Sequence, residues 1–405
     1  MNILVVQSEL GVLRGGGENF TRNLFSAFAQ RGHQVTATFI ADPNGKYPIA
    51  LPPGIVGVPL AGYWSRKLGQ GVLSNIRGWI PEGIQLKNTW DRCQEALCWR
   101  TVRWHDRRFA SRVDAEFHAR WDDFDAIYVH GNSVLAEKIS RIRPTILRLP
   151  GPVSSDLAPT LKRIHAVCAN GDALRHIRTF LGEHAMELPI GLDRQLFRPG
   201  TSQVRQDLTW SGEEWVIGYV GRLAYIKGVD LLADAFKQLR THIPQARLLM
   251  IGAGEEEGKL REALKEELAK SFVRIEADVP HERLGEWYRA MDVFVMPSRY
   301  ENYSNAVLEA LACGVPFLGS NVGGNPRLAE SCGGSLFEAG SVAGLCESLR
   351  CMAETFRQEQ GQETARGRNS QQVIGWDETA SRLENIIQMN LTSPVVSVST
   401  CASRE

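Results

Sequence analysis

The sequence predicts an α/β protein of two Rossmann-like domains that face a central cleft. Three observations support this prediction. The chain has 405 residues, which is more than one hydrophobic core usually organises. Short apolar strand-like runs alternate with helix-like segments, as they do in a doubly wound parallel sheet. The alternation starts afresh near residue 215, so a second series of strands and helices follows the first.

The first domain is predicted over residues 1–189 and opens with a strand, a glycine-rich loop and an amphipathic helix. Apolar residues three and four positions apart along the helix indicate one face packed on a sheet. Further strand-like runs continue the βαβ alternation. The predicted elements are strand 3–7, helix 18–31, strand 34–40 and strands 126–129, 145–149, 166–169 and 186–189.

Residues 63–112 interrupt this domain and predict a helical insertion. Five of the ten tryptophans fall here, and ten Lys and Arg residues stand against four Asp and Glu residues. One interpretation is an amphipathic surface that rests on an anionic membrane at its inner face and presents a lipid-linked acceptor. The other is an insertion that covers the core, with arginines extended toward solvent.

The second domain is predicted over 212–370, after a linker at 190–211. A helix over 371–389 and a tail without fixed structure over 390–405 follow it. The predicted strands are 215–220, 247–251, 272–275, 293–296 and 316–319, and the predicted helices are 228–239, 258–268, 281–290 and 305–313.

Composition and charge exclude several classes of function. The formal net charge is zero, so no global field attracts nucleic acid. The N-terminus has no basic leader, and no apolar stretch approaches the about 20 residues of a spanning helix, so a cytoplasmic protein is expected. The eight cysteines form no C-x-x-C pair, which favours reduced thiols over disulfides or a metal site.

A polar loop and a helix start between Pro297 and Pro316 carry the strongest functional signal. Asn302, Ser304 or Asn305 is positioned to cap the helix, whose first free N–H groups suit a diphosphate.

Two carboxylates flank this helix start. Glu309 lies four residues after Asn305 on the same face, within reach of ribose hydroxyls on a ligand bound at the helix terminus. Glu301 precedes the helix and is placed to reach a sugar beyond the second phosphate. The alternative is that both glutamates are solvated surface groups.

The loop from Gly221 to Gly228 supplies two cations at the end of the second domain's first strand. Arg222 offers a bidentate fork and Lys227 a point charge, and together they suit a departing diphosphate in place of a metal ion. A solvated basic loop is the alternative.

Two features of the first domain point to the same kind of ligand. Gly16 and Gly17 allow close backbone approach to phosphates, although the loop lacks the G-x-G-x-x-G spacing of a nicotinamide site. His130 follows strand 126–129 and is placed to orient a sugar or an acceptor. The D-x-D text at Asp123 and Asp125 is interpreted as a solvated turn, so no metal site is predicted.

In combination these motifs resemble the family 4 retaining glycosyltransferases of the GT-B fold. The family's G-R-x(4)-K-G pattern matches residues 221–228, and its P-S-x-x-E-x(7)-E-A-x-A-x-G-x-P pattern matches Pro297 to Pro316. The early Gly16-Gly17-Glu18 text matches more loosely. Ser304 departs from the Gly or Pro of many relatives.

The resemblance implies roles for individual residues. Arg222 and Lys227 would bind the donor diphosphate, Glu309 the ribose, and Glu301 the transferred sugar. The remaining implied donor contacts are Gly16, Gly17, Asn302, Tyr303, Ser304 and Asn305, while His130 lines the reaction centre. The last helix would return to the first domain.

The resemblance also implies an activity. A hexose would move from a UDP- or GDP-sugar to a glycan, a lipid-linked acceptor or a small hydroxylated acceptor in polysaccharide or glycoconjugate biosynthesis, with retention and without metal or cofactor. Two alternatives remain open: a nucleotide-sugar epimerase of the same fold, and a non-catalytic nucleotide-sugar-binding module.

Overall fold

The chain forms two compact units. A computed structural model describes residues 1–11, 16–41, 49–61, 106–210, 213–358 and 373–391. Unit 1 contains residues 1–189 together with 376–405, and unit 2 contains residues 190–375.

Unit 1 is built on a parallel sheet of seven described strands in the order β3-β2-β1-β4-β5-β6-β7. Every neighbouring pair is parallel, so all strand carboxyl ends meet at one edge of the sheet. The strands are β1 Asn2–Val6, β2 Gln34–Ala41, β3 Ile55–Ala61, β4 Ala126–His130, β5 Thr145–Arg148, β6 Ala166–Ala169 and β7 Ala185–Glu187.

Helices cover this sheet because their apolar residues recur at helical spacing. Phe20, Leu24 and Phe28 of the first helix are buried in this way. The described helices of unit 1 are Gly16–Gln30, 106–117, Ser133–Ile139, Ala158–Leu161, Gly171–Leu181 and Trp376–Leu391.

The last helix packs on the first one. Arg31 donates two hydrogen bonds of 2.7 Å to the carboxylate of Glu384, and the rings of Phe20 and Trp376 meet edge to face at 5.5 Å. The helix begins at Trp376 and continues to Leu391, beyond the predicted end at 389. Residues 392–405, the rest of the predicted tail, lie outside the described residues.

The predicted insertion at 63–112 is described only at its end, since residues 62–105 lie outside the described part. Residues 106–112 belong to a helix that buries Phe109, Val113 and Phe117 in the core, while Arg107 and Arg108 are exposed. This end therefore covers the core. The membrane interpretation falls mainly on residues outside the description.

Unit 2 repeats the architecture with a parallel sheet of six described strands in the order β10-β9-β8-β11-β12-β13. The strands are β8 Trp215–Val220, β9 Ala246–Ile251, β10 Val273–Glu276, β11 Val293–Met296, β12 Phe317–Ser320 and β13 Gly334–Phe337. The described helices are Val204–Asp207, Val229–Arg240, Glu257–Ala263, Lys265–Ala269, Leu284–Arg289, Asn305–Ala312, Asn325–Cys332 and Val342–Gln358.

The stretch predicted as a linker at 190–211 differs from that prediction. Phe197, Val204 and Trp210 are buried, and the stretch belongs to unit 2. Burial of these large apolar side chains explains why the segment packs instead of remaining a free connection.

Three further findings concern the described residues alone. Their cysteines at 168, 313, 332, 346 and 351 are free thiols. No group of three or more His, Cys, Asp or Glu side chains is placed there to hold a metal ion. No described helix combines the length and the apolar character needed to cross a bilayer.

Candidate functional site

The two motif loops of unit 2 lie side by side. The loop 221–228 follows β8, the loop 297–304 follows β11, and these two strands are neighbours in the sheet. Ligands of open parallel sheets bind at the carboxyl ends of such strands. The topology thus brings together the two stretches that carry the predicted donor contacts.

Lys227 and Glu301 form an ion pair between these loops. Lys227 Nζ lies 2.7 Å from Glu301 Oε2, and the two side chains are 25% and 9% exposed. The Ser298 hydroxyl lies 3.4 Å from the same oxygen. Glu301 is therefore a buried, paired carboxylate, which rules out the alternative of a solvated surface group.

Arg299 joins the same two loops through hydrogen bonds of its own. Its guanidinium donates two 2.7 Å hydrogen bonds to the carboxylate of Asp230 and one, also 2.7 Å, to the carbonyl of Tyr225. Its own N–H donates to the carbonyl of Ile226 at 2.9 Å. Bidentate charged bonds of this kind fix geometry as well as add energy, so Lys227 is held in place.

A glycine turn supports the backbone of Glu301. The N–H of Gly324 donates to the Glu301 carbonyl at 3.2 Å. Gly323 has φ +54°, and a Cβ at this position would lie 1.5 Å from the same carbonyl oxygen. Only glycine fits both the conformation and the space. The position of Glu301 therefore depends on the turn that follows β12.

Glu309 is half-buried and paired with a buried tyrosine. The Tyr288 hydroxyl donates to Glu309 Oε2 at 2.7 Å. Burial raises the pKa of Glu309, and the hydrogen bond from Tyr288 opposes that rise by favouring the ionised form. Glu309 thus has one oxygen held by the protein, an arrangement that orients the carboxylate.

Ser304 caps the helix Asn305–Ala312. Its φ and ψ of −90° and 117° are extended, and its hydroxyl accepts a hydrogen bond of 3.4 Å from the N–H of Val307. Of the three predicted caps, Ser304 is the one used, and Asn305 is the first helical residue. Asn302 and Tyr303 are half-buried in the loop before the cap, next to the Gly324 turn.

Arg222 is exposed at the mouth of its loop. Its carbonyl accepts a 2.8 Å hydrogen bond from the buried Tyr219 hydroxyl, which anchors the backbone. Within the described ranges its guanidinium makes no ion pair. The cation is thus available to a ligand, whereas Lys227 is engaged.

The predicted residues of the first domain meet in unit 1. A Cβ on Gly17 would lie 2.9 Å from His130 Nε2, so the loop backbone packs against the imidazole ring. His130 Nδ1 lies 3.3 Å from both the Thr21 and the Tyr128 hydroxyls. A Cβ on Gly16 would meet no atom within 4 Å. Gly15 lies outside the described residues.

The two aspartates of the D-x-D segment, Asp123 and Asp125, form hydrogen bonds with nearby residues. Asp125 accepts a 2.7 Å hydrogen bond from the N–H of Asn2, and Asp123 pairs with Arg120 at 3.2 Å.

Sequence reasoning missed three supports of this site. Tyr288 and Gly323 lie outside the matched motifs, and Arg299 lies inside the strongest motif, but none of the three was given a role. Their partners lie 21 to 74 residues away in sequence. Spacing along the chain gives no signal for such pairs.

Comparison with known proteins shows what the segment that carries this site is similar to. Residues 214–355 match the family described as "Glycosyl transferases group 1". The chain is 33% identical over 176 residues to D-inositol 3-phosphate glycosyltransferase 1 of Catenulispora acidiphila, covering 40% of this chain and 42% of the relative. These matches agree with the resemblance to the family 4 glycosyltransferases that the motifs of the second domain indicate. The matched parts span between 32% and 59% of the curated relatives.

Solved structures show that the chain has the GT-B fold. Sucrose-phosphate synthase from Thermosynechococcus elongatus aligns with TM-score 0.73 at 18% identity, covering 96% of this chain and 98% of that one. HepE of Anabaena in complex with UDP aligns with TM-score 0.67 at 18% identity, covering 96% and 99%. The predicted α/β fold of two Rossmann-like domains is confirmed.

Proposed function

We propose that the protein is a retaining hexosyltransferase that takes a hexose from a UDP- or GDP-sugar. The acceptor is a glycan, a lipid-linked acceptor or a small hydroxylated molecule in polysaccharide or glycoconjugate biosynthesis. The observation that carries the proposal is the 2.7 Å pair of Lys227 and Glu301, which joins two motif loops at adjacent strand ends.

The donor is proposed to lie across these loops in unit 2. Its diphosphate meets the exposed cation of Arg222, the ammonium of Lys227 and the N–H groups at the start of helix Asn305–Ala312. Glu309, oriented by Tyr288, accepts hydrogen bonds from the ribose hydroxyls. The half-buried Asn302 and Tyr303 line the same loop.

Glu301 is proposed to contact the transferred hexose. Lys227 neutralises this buried carboxylate. When the diphosphate binds, the ammonium is shared between phosphate oxygens and Glu301, since an ammonium has three donors. The carboxylate then faces the positive charge that develops on the sugar ring in the transition state.

The chemical step breaks the bond between the anomeric carbon and the β-phosphate oxygen. A new bond forms from an acceptor hydroxyl oxygen to the same face of that carbon, and the departing phosphate oxygen takes the hydroxyl proton. Arg222 and Lys227 stabilise the diphosphate as its negative charge grows. The proposal therefore needs no metal ion and no cofactor.

Unit 1 is proposed to serve the acceptor. His130, with Nδ1 held near two hydroxyls, is assigned to the reacting sugar or the acceptor, and Gly16 and Gly17 allow close approach of phosphates. The proposal places the enzyme in the cytoplasm, and at the inner face of the membrane when the acceptor is lipid-linked.

An assay of nucleotide release tests the proposal. Purified protein is incubated with UDP-glucose or GDP-mannose, with and without acceptors, in the presence of a chelator. We expect acceptor-dependent release of nucleotide and a product that keeps the anomeric configuration of the donor, read by proton NMR. Lys227→Ala and Glu301→Gln should each lower turnover by about 100-fold or more.

Matched controls in the same unit are Lys265→Ala and Glu262→Gln, because both side chains are exposed. Both controls should keep full activity. Interconversion of the sugar without transfer would favour the epimerase alternative. Donor binding without any turnover would favour the non-catalytic binding module, provided that Glu301→Gln also leaves the function of the protein intact.

A further inference from the structure

A row of polar side chains crosses the carboxyl edge of the unit 1 sheet, and only one of its members, His130, has a role in the proposed function. It consists of Gln7, His130, Arg148 and Asn170, which stand at or just after the ends of β1, β4, β5 and β6. These four strands are consecutive in the sheet. We call this set the polar row.

The register of the sheet places the polar row on one face. Val6 is paired with Val129, so the residues that follow them are level with each other, and His130 is paired directly with Arg148. Arg148 is paired in turn with Cys168. The asparagine of the row lies two positions beyond Cys168. Paired residues and residues two apart project from the same face of a sheet.

Three members of the polar row carry buried atoms without a hydrogen-bond partner among the described residues. They are Gln7 Oε1, Arg148 Nε and Asn170 Nδ2. The residues are 4%, 3% and 3% exposed. Buried polar atoms are normally paired, and three orphans in one row indicate a group that the protein itself does not supply.

Arg148 also lacks a counter-charge. Its Nη1 donates to the carbonyl of Leu188 at 2.7 Å, and its guanidinium carbon lies 4.1 Å from the centre of the Phe20 ring. Neither partner is an anion, and no described carboxylate forms an ion pair with it. Burial lowers the pKa of Arg148, as expected for a desolvated cation without compensation.

We propose that the polar row binds an anionic oxygen group on a hydroxylated acceptor, with Arg148 as its main contact. Arg148 and Asn170 donate N–H bonds to the anion, and Gln7 Oε1 accepts from a hydroxyl of the same molecule. A phosphate ester and a sugar carboxylate share this chemistry. The inference rests on the proposed transferase function, since it assigns the acceptor class.

Binding of small anions tests the inference without turnover. The probes are inorganic phosphate, glucuronate and neutral glucose, titrated calorimetrically into the full chain. The titrations use the Lys227→Ala variant, because loss of this ammonium weakens anion binding in unit 2. We expect phosphate or glucuronate to bind and glucose not to bind. The anion that binds more tightly shows whether the acceptor carries a phosphate ester or a carboxylate.

Two variants locate the site. Arg148→Gln and Asn170→Ala should each weaken anion binding, the first by at least about tenfold, as for a charge-assisted hydrogen bond. Arg148→Lys should retain part of the affinity. Equal binding of glucose and the anions, or unchanged anion binding in a folded Arg148→Gln or Asn170→Ala protein, would overturn the inference.

Turnover separates this inference from the proposed function. In Asn170→Ala, which keeps the arginine and its bond to Leu188, we expect the KM for an anionic acceptor to rise by a larger factor than kcat falls. A protein that binds anions in unit 1 but neither hydrolyses nor transfers from any donor contradicts the proposed function alone. An unchanged KM in Asn170→Ala contradicts the inference alone.

Discussion

The carboxyl edges of the two sheets have the same architecture, but their charged side chains differ in pairing. In unit 2 the charged side chains of the motif loops have partners: Lys227 pairs with Glu301, Tyr288 donates to Glu309, and Arg299 pairs with an aspartate. In unit 1 the edge keeps buried polar atoms of Gln7 and Arg148 unpaired among the described residues.

The two edges illustrate two ways in which polar side chains can be arranged for a ligand. Paired charges in unit 2 keep each side chain in one orientation before any ligand arrives, which suits groups that must stabilise a transition state. Unpaired groups in unit 1 remain costly until a ligand satisfies them. The first arrangement favours rate and the second favours selection of a matching ligand.

Breaking the pair in unit 2 should have the largest effect. Lys227→Met leaves Glu301 buried without its cation, so we expect turnover to fall by about 100- to 1000-fold. The free energy of unfolding should fall by about 2 kcal/mol, less than for a fully buried pair because Lys227 is 25% exposed. Chemical denaturation and steady-state kinetics measure the two effects.

The double variant Lys227→Met, Glu301→Gln is the control for this prediction. Because the uncompensated charge is gone, most of the lost stability should return while turnover stays low. Equal stability of the single and double variants would contradict a stabilising interaction between Lys227 and Glu301.

In unit 1, Arg148→Met should change the free energy of unfolding by less than about 1 kcal/mol, since it removes a cation that has no counter-charge.

A substitution in the glycine turn that supports Glu301 should have the next largest effect. Gly323→Ala places a Cβ 1.5 Å from the Glu301 carbonyl oxygen at a φ of +54°, so the loop must move. We expect a loss of about 2–3 kcal/mol in the free energy of unfolding, together with lower turnover. Gly258→Ala is the matched control, because it stands in a helix with open space around it and should stabilise slightly.

Removal of the Tyr288 hydroxyl should weaken donor binding. Tyr288→Phe keeps the buried ring and deletes the bond to Glu309, so the donor KM should rise about tenfold. The pKa of Glu309, raised by burial, should rise further, because the bond favours the ionised form. As the pH is lowered, the variant should therefore lose donor affinity at a higher pH than the wild type does. Superimposable pH profiles would refute this role.

The smallest effect concerns the helix that closes unit 1. Hydrogen bonds from Arg31 lower the pKa of Glu384 to about 2, against 4.5 for an ordinary glutamate. A lowered acid pKa stabilises the fold above pH 4.5, and that stability disappears as pH falls toward 2. Glu384→Gln should cost about 1 kcal/mol at pH 7 and almost nothing near pH 2. A constant difference in urea denaturation across this range would be inconsistent with the linkage.

Local patterning was sufficient for much of the fold and for the choice of motif residues that lie at the strand ends. Strands such as β8 and β11 were predicted from apolar runs, and the motif residues Lys227, Glu301 and Glu309 from their positions after strands. The packing of residues 190–210 was not predicted, because the large apolar residues of this segment are irregularly spaced and show neither strand nor helix periodicity.

The sequence by itself determined which residue types stand at the strand ends, because backbone periodicity and motif spacing are local properties. Tertiary structure alone decided which of them pair. Lys227 meets Glu301 and Tyr288 meets Glu309 because neighbouring strands bring distant loops within hydrogen-bond distance. The same cause aligned the polar row of unit 1, where parallel register set Arg148 beside His130 and left its charge without a partner.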